Sequence, residues 1–537
     1  MQKIYKLSTL LLSLLLVSCN GGTTSAPTSE PTTSGPQLPE AETNINSSIN
    51  YQIFVRTFAD SNGDGIGDLN GIKNKIPYLK KIGVKSIWLT PIHKTSSDHG
   101  YDVQDYYSIA KDLGTMEDFE ALVQELKAND MGIILDMVFN HASNVTSYFK
   151  QAYQDFDDEM SGIIKSDSKA NWFNFSLDKK IGYIKYKDYY VESRFNTTSM
   201  CDFNLENPEV IEEMGKILNF WAEKGVSGYR FDAVKYFVGE GVKDKTIEIC
   251  NQLKAFQPNL YYVGEAWDES TFDFERYYES EFDAFFNFPM CAQTSRKGNL
   301  FGNTVNGSIN YLYDSVLEMQ KIITDNEENK TTKSVAANFL TNHDMDRVSS
   351  LTDDPNKLKL VASTTYLLPG TPFIYYGEEL GMKGVRIATN TDADRRMPML
   401  FEDNSKCKEL RGTVFNEQIE EGVDTQLADP NSVLSHYIRV TSLRNKMGSM
   451  MKHATYQPYD RTLTFANRTF YAYNLIGEDK TYTVFTNLSH NSSFEFDIPT
   501  DFKSVLGYVN AKDYTIEYTL NEKHLVLPSY STIILEN

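Results

Sequence analysis

From about Asn50 to Lys446, short apolar runs alternate with longer stretches whose apolar residues return every three to four positions. The runs Tyr51–Phe58, Ser86–Leu89, Gly132–Val138, Gly228–Phe231, Leu260–Gly264, Ala284–Phe286, Val335–Leu340 and Pro372–Tyr376 read as buried strands. Between them Met116–Asn129, Pro208–Lys224 and Pro355–Leu368 carry the helical period. Eight strand–helix units over nearly 400 residues predict an α/β fold, a (β/α)8 TIM barrel rather than a doubly wound sheet. Almost 70 residues, rich in Tyr, Asp, Lys and Ser, lie between Phe139 and Pro208. A connection of that length predicts a domain inserted after strand three, over the barrel mouth. After Lys446 the period becomes two, in Thr481–Asn487, Ser493–Ile498, His524–Leu527 and Ser531–Leu535. That change predicts a small C-terminal antiparallel β-domain.

The N-terminus follows a different pattern. Lys3 and Lys6 precede an apolar run from Leu7 to Val17, too short to span a bilayer, which reads as a signal peptide. It ends Leu16-Val17-Ser18-Cys19, a sequence that resembles the bacterial lipobox and makes Cys19 the expected lipidation site. The competing reading is an ordinary signal peptide with an incidental cysteine. From Asn20 to Thr43, 16 of 24 residues are Gly, Ser, Thr or Pro, a composition that forms a tether and no core. The expected organisation is residues 1–18 as signal peptide and 19–48 as lipidated Cys19 and tether. Residues 49–140 and 205–446 form the barrel, 141–204 the inserted domain B, and 447–537 the C-terminal domain. Lipid, tether and body together imply an extracytoplasmic protein held on a bacterial membrane through its N-terminal lipid.

Composition narrows the function classes. With 41% hydrophobic and 23% charged residues the chain is neither disordered nor fibrous. Its 52 basic and 73 acidic residues give a net charge of −21, which argues against a nucleic-acid partner. Aromatics reach 13% and serve equally for core packing or for stacking on sugar rings. Cys201, Cys250, Cys291 and Cys407 match no zinc or redox spacing and read as buried free thiols.

In a barrel of this kind, catalytic side chains project from the C-terminal ends of the strands. Strand three ends Asp136-Met137-Val138-Phe139-Asn140-His141, and strand four runs Gly228-Tyr229-Arg230-Phe231-Asp232. Strand five ends Val263-Gly264-Glu265-Ala266-Trp267, and strand seven leads to Asn342-His343-Asp344. Acids from three strands therefore meet at one mouth. Arg230 and Asp232, two apart, share a face of their strand, and the guanidinium favours the ionised carboxylate that a nucleophile needs. Glu265, beside apolar groups and another carboxylate, is placed to stay protonated as a general acid. Two carboxylates about 5 Å apart are the retaining glycosidase arrangement. Any one of these acids alone would read as a solvated strand-end residue; their joint placement argues otherwise.

These blocks resemble the ordered signature regions of the α-amylase family of glycoside hydrolases. Asp136–His141, Gly228–Tyr236, Val263–Trp267 and Phe339–Asp344 match in order and spacing, and so do Gly83–Ile92, His99–Asp102 and Gly370–Gly381. The resemblance covers nearly all of residues 50–445 and implies a barrel, a domain inserted after strand three and a C-terminal antiparallel β-sandwich. It implies Asp232 as nucleophile, Glu265 as acid/base and Asp344 as transition-state stabiliser. It also implies Tyr101, His141, Arg230 and His343 around the sugar being cleaved, with Tyr101 as a stacking platform. Lys235 stands on the leaving-group side, and Arg347 and Arg396 lie near positions where relatives place an arginine at the mouth. Ala233 after the nucleophile favours α-1,4 over α-1,6 links. Tyr236 replaces the usual His, and Cys201 the usual Pro. Trp172 and Tyr190 read as core rather than as sugar platforms.

Asp60-Ser61-Asn62-Gly63-Asp64-Gly65-Ile66-Gly67-Asp68 sets oxygen donors at alternate positions around a glycine-bent turn, which suits a hard cation. Relatives carry a similar loop after strand one. The expected ligands are Asp60, Asn62, Asp64, Asp68 and the Ile66 carbonyl, holding a structural Ca2+, or Mg2+. The competing reading is an acidic turn without metal. The family's other calcium site is left unassigned, because Asn204 stands where relatives have Asp. The sequence thus predicts a lipid-anchored, monomeric, endo-acting α-amylase acting on starch-like α-glucan polysaccharide or oligosaccharide. The alternatives are an oligosaccharide-preferring α-glucosidase, a 4-α-glucanotransferase, or a non-catalytic glucan-binding relative.

Overall fold

A computed structural model describes residues 49–239, 243–328, 330–387, 391–460, 469–498 and 501–537. The signal segment 1–18, Cys19 and the tether 19–48 lie outside the described residues. Eight parallel strands form one sheet: β1 (Ile49–Ile53), β2 (Val84–Leu89), β3 (Gly132–Met137), β4 (Gly228–Phe231), β5 (Tyr261–Gly264), β6 (Ala284–Phe286), β7 (Val335–Ala337) and β8 (Phe373–Tyr375). Their order is β7-β6-β5-β4-β3-β2-β1-β8. The ends of that row meet through a parallel bridge between Phe339 and Phe373 and through the Thr371 N–H on the Ala336 carbonyl at 2.9 Å. The sheet thereby closes as the (β/α)8 barrel that the sequence predicts. Gly370 makes the seam possible: at φ +107° a Cβ there would lie 2.2 Å from the Ala336 carbonyl oxygen.

The strands end sooner than their apolar runs. β1 stops at Ile53, and Val55–Thr57 forms a 3-10 turn, closed by the Thr57 N–H on the Phe54 carbonyl at 3.2 Å. β7 stops at Ala337. In both places the apolar run continues because the chain stays buried while it leaves the barrel rim, and burial does not require a ladder. The barrel interior is packed by Trp88, Ile134, Val263, Phe286, Phe339 and Phe373, among others, so it is a core and not a channel.

The helices begin where local chemistry permits. Helix Met116–Ala128 starts at a capping box formed by Thr115 and Asp118. Helix Pro208–Glu223 has Asn207 as cap and Pro at its first turn. Between β3 and that helix, His141–Ala142 pairs antiparallel with Cys201–Asp202, closing the base of the inserted segment. Inside the segment, helix Ser147–Met160 packs on a small sheet of Phe175–Ser176, Tyr183–Tyr186 and Tyr189–Glu192. Trp172 is buried there, stacked on Tyr148.

After helix Val433–Met447 come β9 (Thr455–Pro458), β10 (Phe470–Ile476), β11 (Thr481–Asn487), β12 (Phe494–Asp497), β13 (Ser504–Asn510), β14 (Thr519–Asn521), β15 (His524–Leu527) and β16 (Ser531–Glu536). They form two antiparallel sheets, β9-β10-β11-β16-β13 and β12-β15-β14, around a core that includes Phe470, Phe485, Phe496, Leu525 and Ile533. Cys201, Cys250, Cys291 and Cys407 are free and buried. Among the described residues no helix is long and apolar enough to cross a membrane.

Candidate active site

The centre of the site is set by strand register. Arg230 on β4 pairs with Asp136 on β3 and with Val263 on β5, so a guanidinium faces a carboxylate across the barrel rim. Arg230 is completely buried. Its Nη1 donates to Asp136 Oδ1 and to Asp232 Oδ1, each at 2.7 Å. Its Nη2 lies 3.0 Å from Glu265 Oε1. One fork thus joins carboxylates from three successive strands, in the planar geometry that arginine offers and lysine does not. The face of the guanidinium lies 5.1 Å from the Trp88 ring.

Glu265 also accepts the Ala233 N–H on Oε2 at 3.0 Å. Ala233 holds that position in the left-handed region, at φ 51°, where a residue other than glycine carries strain. Burial pushes the Glu265 carboxyl up to about 8; the Arg230 guanidinium opposes this, and the Asp232 and Asp344 charges add to it. Burial likewise raises Asp136 to about 7, opposed by Arg230 and reinforced by Asp232.

Asp344 lies on the other side of the mouth, with Oδ1 2.7 Å from Arg396 Nη2 and Oδ2 3.0 Å from His343 Nε2. Burial would raise it, but His343, Arg396 and Arg230 together hold it below the usual carboxylate range. His343 is fully buried, and burial lowers it to about 3, so the ring is neutral. Gln52 Nε2 meets its Nδ1 at 2.7 Å. With that nitrogen as acceptor, Nε2 carries the proton and reaches the Tyr101 hydroxyl at 2.8 Å. Tyr101 in turn donates to Asp136 at 3.0 Å and stacks on His343 with rings 5.4 Å apart. His141 donates its Nε2 proton to the Tyr101 carbonyl at 3.0 Å.

These groups open into a cleft of about 1150 Å³, lined by Tyr101, His141, Asp232, Lys235, Glu265, Asp344 and Arg396 among the expected residues. Arg230 and His343 lie directly behind its wall. Arg347 is a correction. It is buried, donates to the Tyr376 and Arg395 carbonyls, and does not line the cleft. The stretch that returns to the mouth after β8 brings Arg396 instead, and aromatic faces of Tyr375 and Tyr376 hold Arg347 below. The fold also brings Asp136, His99, Asp392, Phe195 and Trp267 to the site, residues to which the sequence alone assigns no role. Asp136 was visible as a strand-end acid, but its contact with Arg230 depends on register. Phe195 comes from the inserted segment and is 43% exposed, and Trp267 is 39% exposed and stacked on Phe288.

With this geometry in view, the comparisons with known proteins are specific. The profile described as "Alpha amylase, catalytic domain" matches residues 52–453. The chain belongs to the α-amylase family. It is therefore a glycoside hydrolase of that family. It is 33% identical over 498 residues to "Alpha-amylase 3" of Dictyoglomus thermophilum, a match spanning 91% of this chain and 93% of that protein. It is 29% identical to a 4-alpha-glucanotransferase of Thermotoga neapolitana, over 82% of this chain and 96% of that protein. The solved structure of Eubacterium rectale Amy13B superposes with a TM-score of 0.82 at 28% identity, covering 93% of this chain and 97% of that one.

The acidic loop of this α-amylase-family chain lies apart from the cleft. Asp60 accepts N–H bonds from Asn62, Gly63 and Gly65 at 2.9, 2.7 and 2.6 Å. Asn62 and Asp64 accept from Asp64 and Ile66, and Asp68 accepts from Ser61 and Gly71. Gly63 and Gly65 supply the left-handed turns. Burial would raise the Asp60 carboxyl, but these backbone donors and Lys408 hold it below its ordinary value. The donor set is hard oxygen throughout, and each bonded carboxylate oxygen keeps a second lone pair, so the chemistry suits calcium. Lys408 Nζ occupies the Asp64 carbonyl at 2.7 Å, and among the described residues no three His, Cys, Asp or Glu side chains converge as a metal cluster.

Proposed function

We propose that this chain is a retaining, endo-acting α-amylase that hydrolyses α-1,4-glucosidic bonds in starch and maltodextrins. The observation that carries the reading is the unequal treatment of acids at one rim. Glu265 is buried and raised to about 8, whereas Asp344 is held anionic by Arg396 and His343. Asp232 shares the Arg230 fork with Glu265. A protonated acid and an adjacent carboxylate on one cation are what double displacement needs.

In the first step an oxygen of the Asp232 carboxylate bonds to the anomeric carbon as the glycosidic C–O bond breaks. Glu265 gives its proton to the departing oxygen. In the second step Glu265, now a carboxylate, takes a proton from water, and the water oxygen displaces Asp232 from the sugar. Asp344 stabilises the positive charge that develops on the ring in both steps. Exposed Trp267 and Phe195, which both line the cleft, suit stacking on glucose units beyond the cleaved bond. Ala233 and the long match to an α-amylase support α-1,4 hydrolysis; the match to a glucanotransferase supports transfer as the second reading.

Iodine staining and reducing ends, followed together on soluble starch with Asp232→Asn as control, test this. Early loss of stain with few new ends is expected. Persistent stain while reducing sugar accumulates would replace the endo reading with an α-glucosidase. Maltotriose converted to longer chains would replace it with a transferase. Inactivity on starch and maltoheptaose alike would refute catalysis. The reading includes calcium at the Asp60–Asp68 loop and an extracytoplasmic body tethered through lipidated Cys19.

A further inference from the structure

A second cavity, of about 900 Å³, lies outside the barrel between β6, β7, the segment leading into β8, helix Ile309–Asp325 and the start of the C-terminal domain. It shares no lining residue with the catalytic cleft. Met290, Val316, Met319, Ile323 and Leu368 give it an apolar strip, beside polar groups that include Gln320, Thr324 and Asn338. No aromatic side chain lines it, so it offers no platform for a sugar ring.

Its rim is basic, in a chain whose net charge is −21. Lys333, Lys452 and His453 line it, against one carboxylate, Glu327. None of the three basic side chains has an ion-pair partner among the described residues. They also sense one another: burial lowers His453 to about 4, and Lys452 and Lys333 push it in the same direction. Burial lowers Lys452 too, with Lys254 adding and Asp283 opposing. Asp283 is already bound by Lys254 at 2.6 Å. Deeper along the cavity, Asn287 is 1% exposed and its Oδ1 has no hydrogen-bond partner.

Two lysines beside a neutral imidazole, set against the single carboxylate of Glu327, favour an anion that joins them. A cavity with an apolar strip behind such a rim suits a molecule with an anionic head and a hydrocarbon body. We propose that this cavity is a binding site for a small carboxylate amphiphile, of the medium-chain fatty-acid class, separate from the glucan cleft. The carboxylate sits at Lys333 and Lys452, the chain runs along Met319 and Ile323, and a bound water serves Asn287.

Octanoate, titrated calorimetrically into the full chain, is the probe. Saturable binding at one site is expected, unchanged by saturating maltotriose. The Lys333→Glu, Lys452→Glu double variant is expected to weaken it by about tenfold or more through loss of the charge-assisted contacts. Met319→Trp, which fills the chamber, is expected to abolish it, while 1-octanol binds more weakly than octanoate. Starch cleavage at wild-type rate shows that each variant is folded. Absence of saturable binding, displacement by maltotriose, or equal binding in both variants would overturn the proposal.

Discussion

Replacing Arg230 with methionine keeps an unbranched apolar stem and removes the cation that three buried carboxylates share. The guanidinium reaches Asp136, Asp232 and Glu265 at 2.7, 2.7 and 3.0 Å. At roughly 1.5–3 kcal/mol for each charged hydrogen bond, the simple sum of all three would be severe. Asp136 and Glu265 can relieve most of it by binding protons, since burial already raises them to about 7 and about 8. What remains near neutral pH is close to one uncompensated buried charge, about 3–5 kcal/mol. The sign of the pH dependence follows. In the folded protein Asp136 and Glu265 hold protons that the unfolded chain releases near its ordinary carboxylate values, so they lower stability as pH rises through that window. Removing Arg230 raises both further, and the destabilisation of the variant should deepen by up to about 1.4 kcal/mol per pH unit for each group. For a chain of this size about 1 kcal/mol corresponds to one degree in Tm. Thermal scans at one heating rate should therefore show Tm lower by about 3–5 °C near pH 6 and by more at pH 9. A fall below about 1 °C, or one that shrinks as pH rises, would refute the account of the fork as the shared counter-charge.

The remaining expectations concern the acid, the loop and the anchor. Glu265→Gln should lower kcat on starch by about a thousandfold, and by much less on an aryl maltoside whose leaving group needs no proton; equal losses on both would remove Glu265 as the acid. The wild-type kcat/KM should fall as pH rises through about 8, where Glu265 deprotonates, and that limb should be missing from the variant's aryl-maltoside profile. A chelator should lower Tm by a few degrees, with calcium restoring it and Asp64→Asn blunting the response; an unchanged Tm would leave the loop as a turn closed by its own N–H groups. Cys19→Ala should move the protein from the membrane fraction to the soluble one, and retention in the membrane fraction would refute lipid anchoring at that residue.

Much of this molecule is legible from the order of its residues. Eight buried runs, a change of period after Lys446 and one overlong connection are local facts of composition, and the barrel with its antiparallel C-terminal sheets follows from them. Asp232, Glu265 and Asp344 could be singled out for a similar reason: strand ends are marked by where an apolar run gives way to polar residues, and a barrel sends all such ends to one side. Registration across strands and the paths of loops lie beyond that kind of reading. Asp136 meets Arg230 because β3 and β4 align at those two residues, a match fixed by the packing of the whole barrel. Arg347 and Arg396 look alike in sequence, yet one is held by backbone carbonyls beneath the rim and the other reaches Asp344. Phe195, Trp267 and Asp392 come from segments with no period to follow, and only closure of the inserted segment and the turns after β5 and β8 brings them to the cleft. The sequence determined which acids stand at strand ends, because residue type and strand position are local; tertiary structure decided their partners, because burial and distance belong to the folded chain.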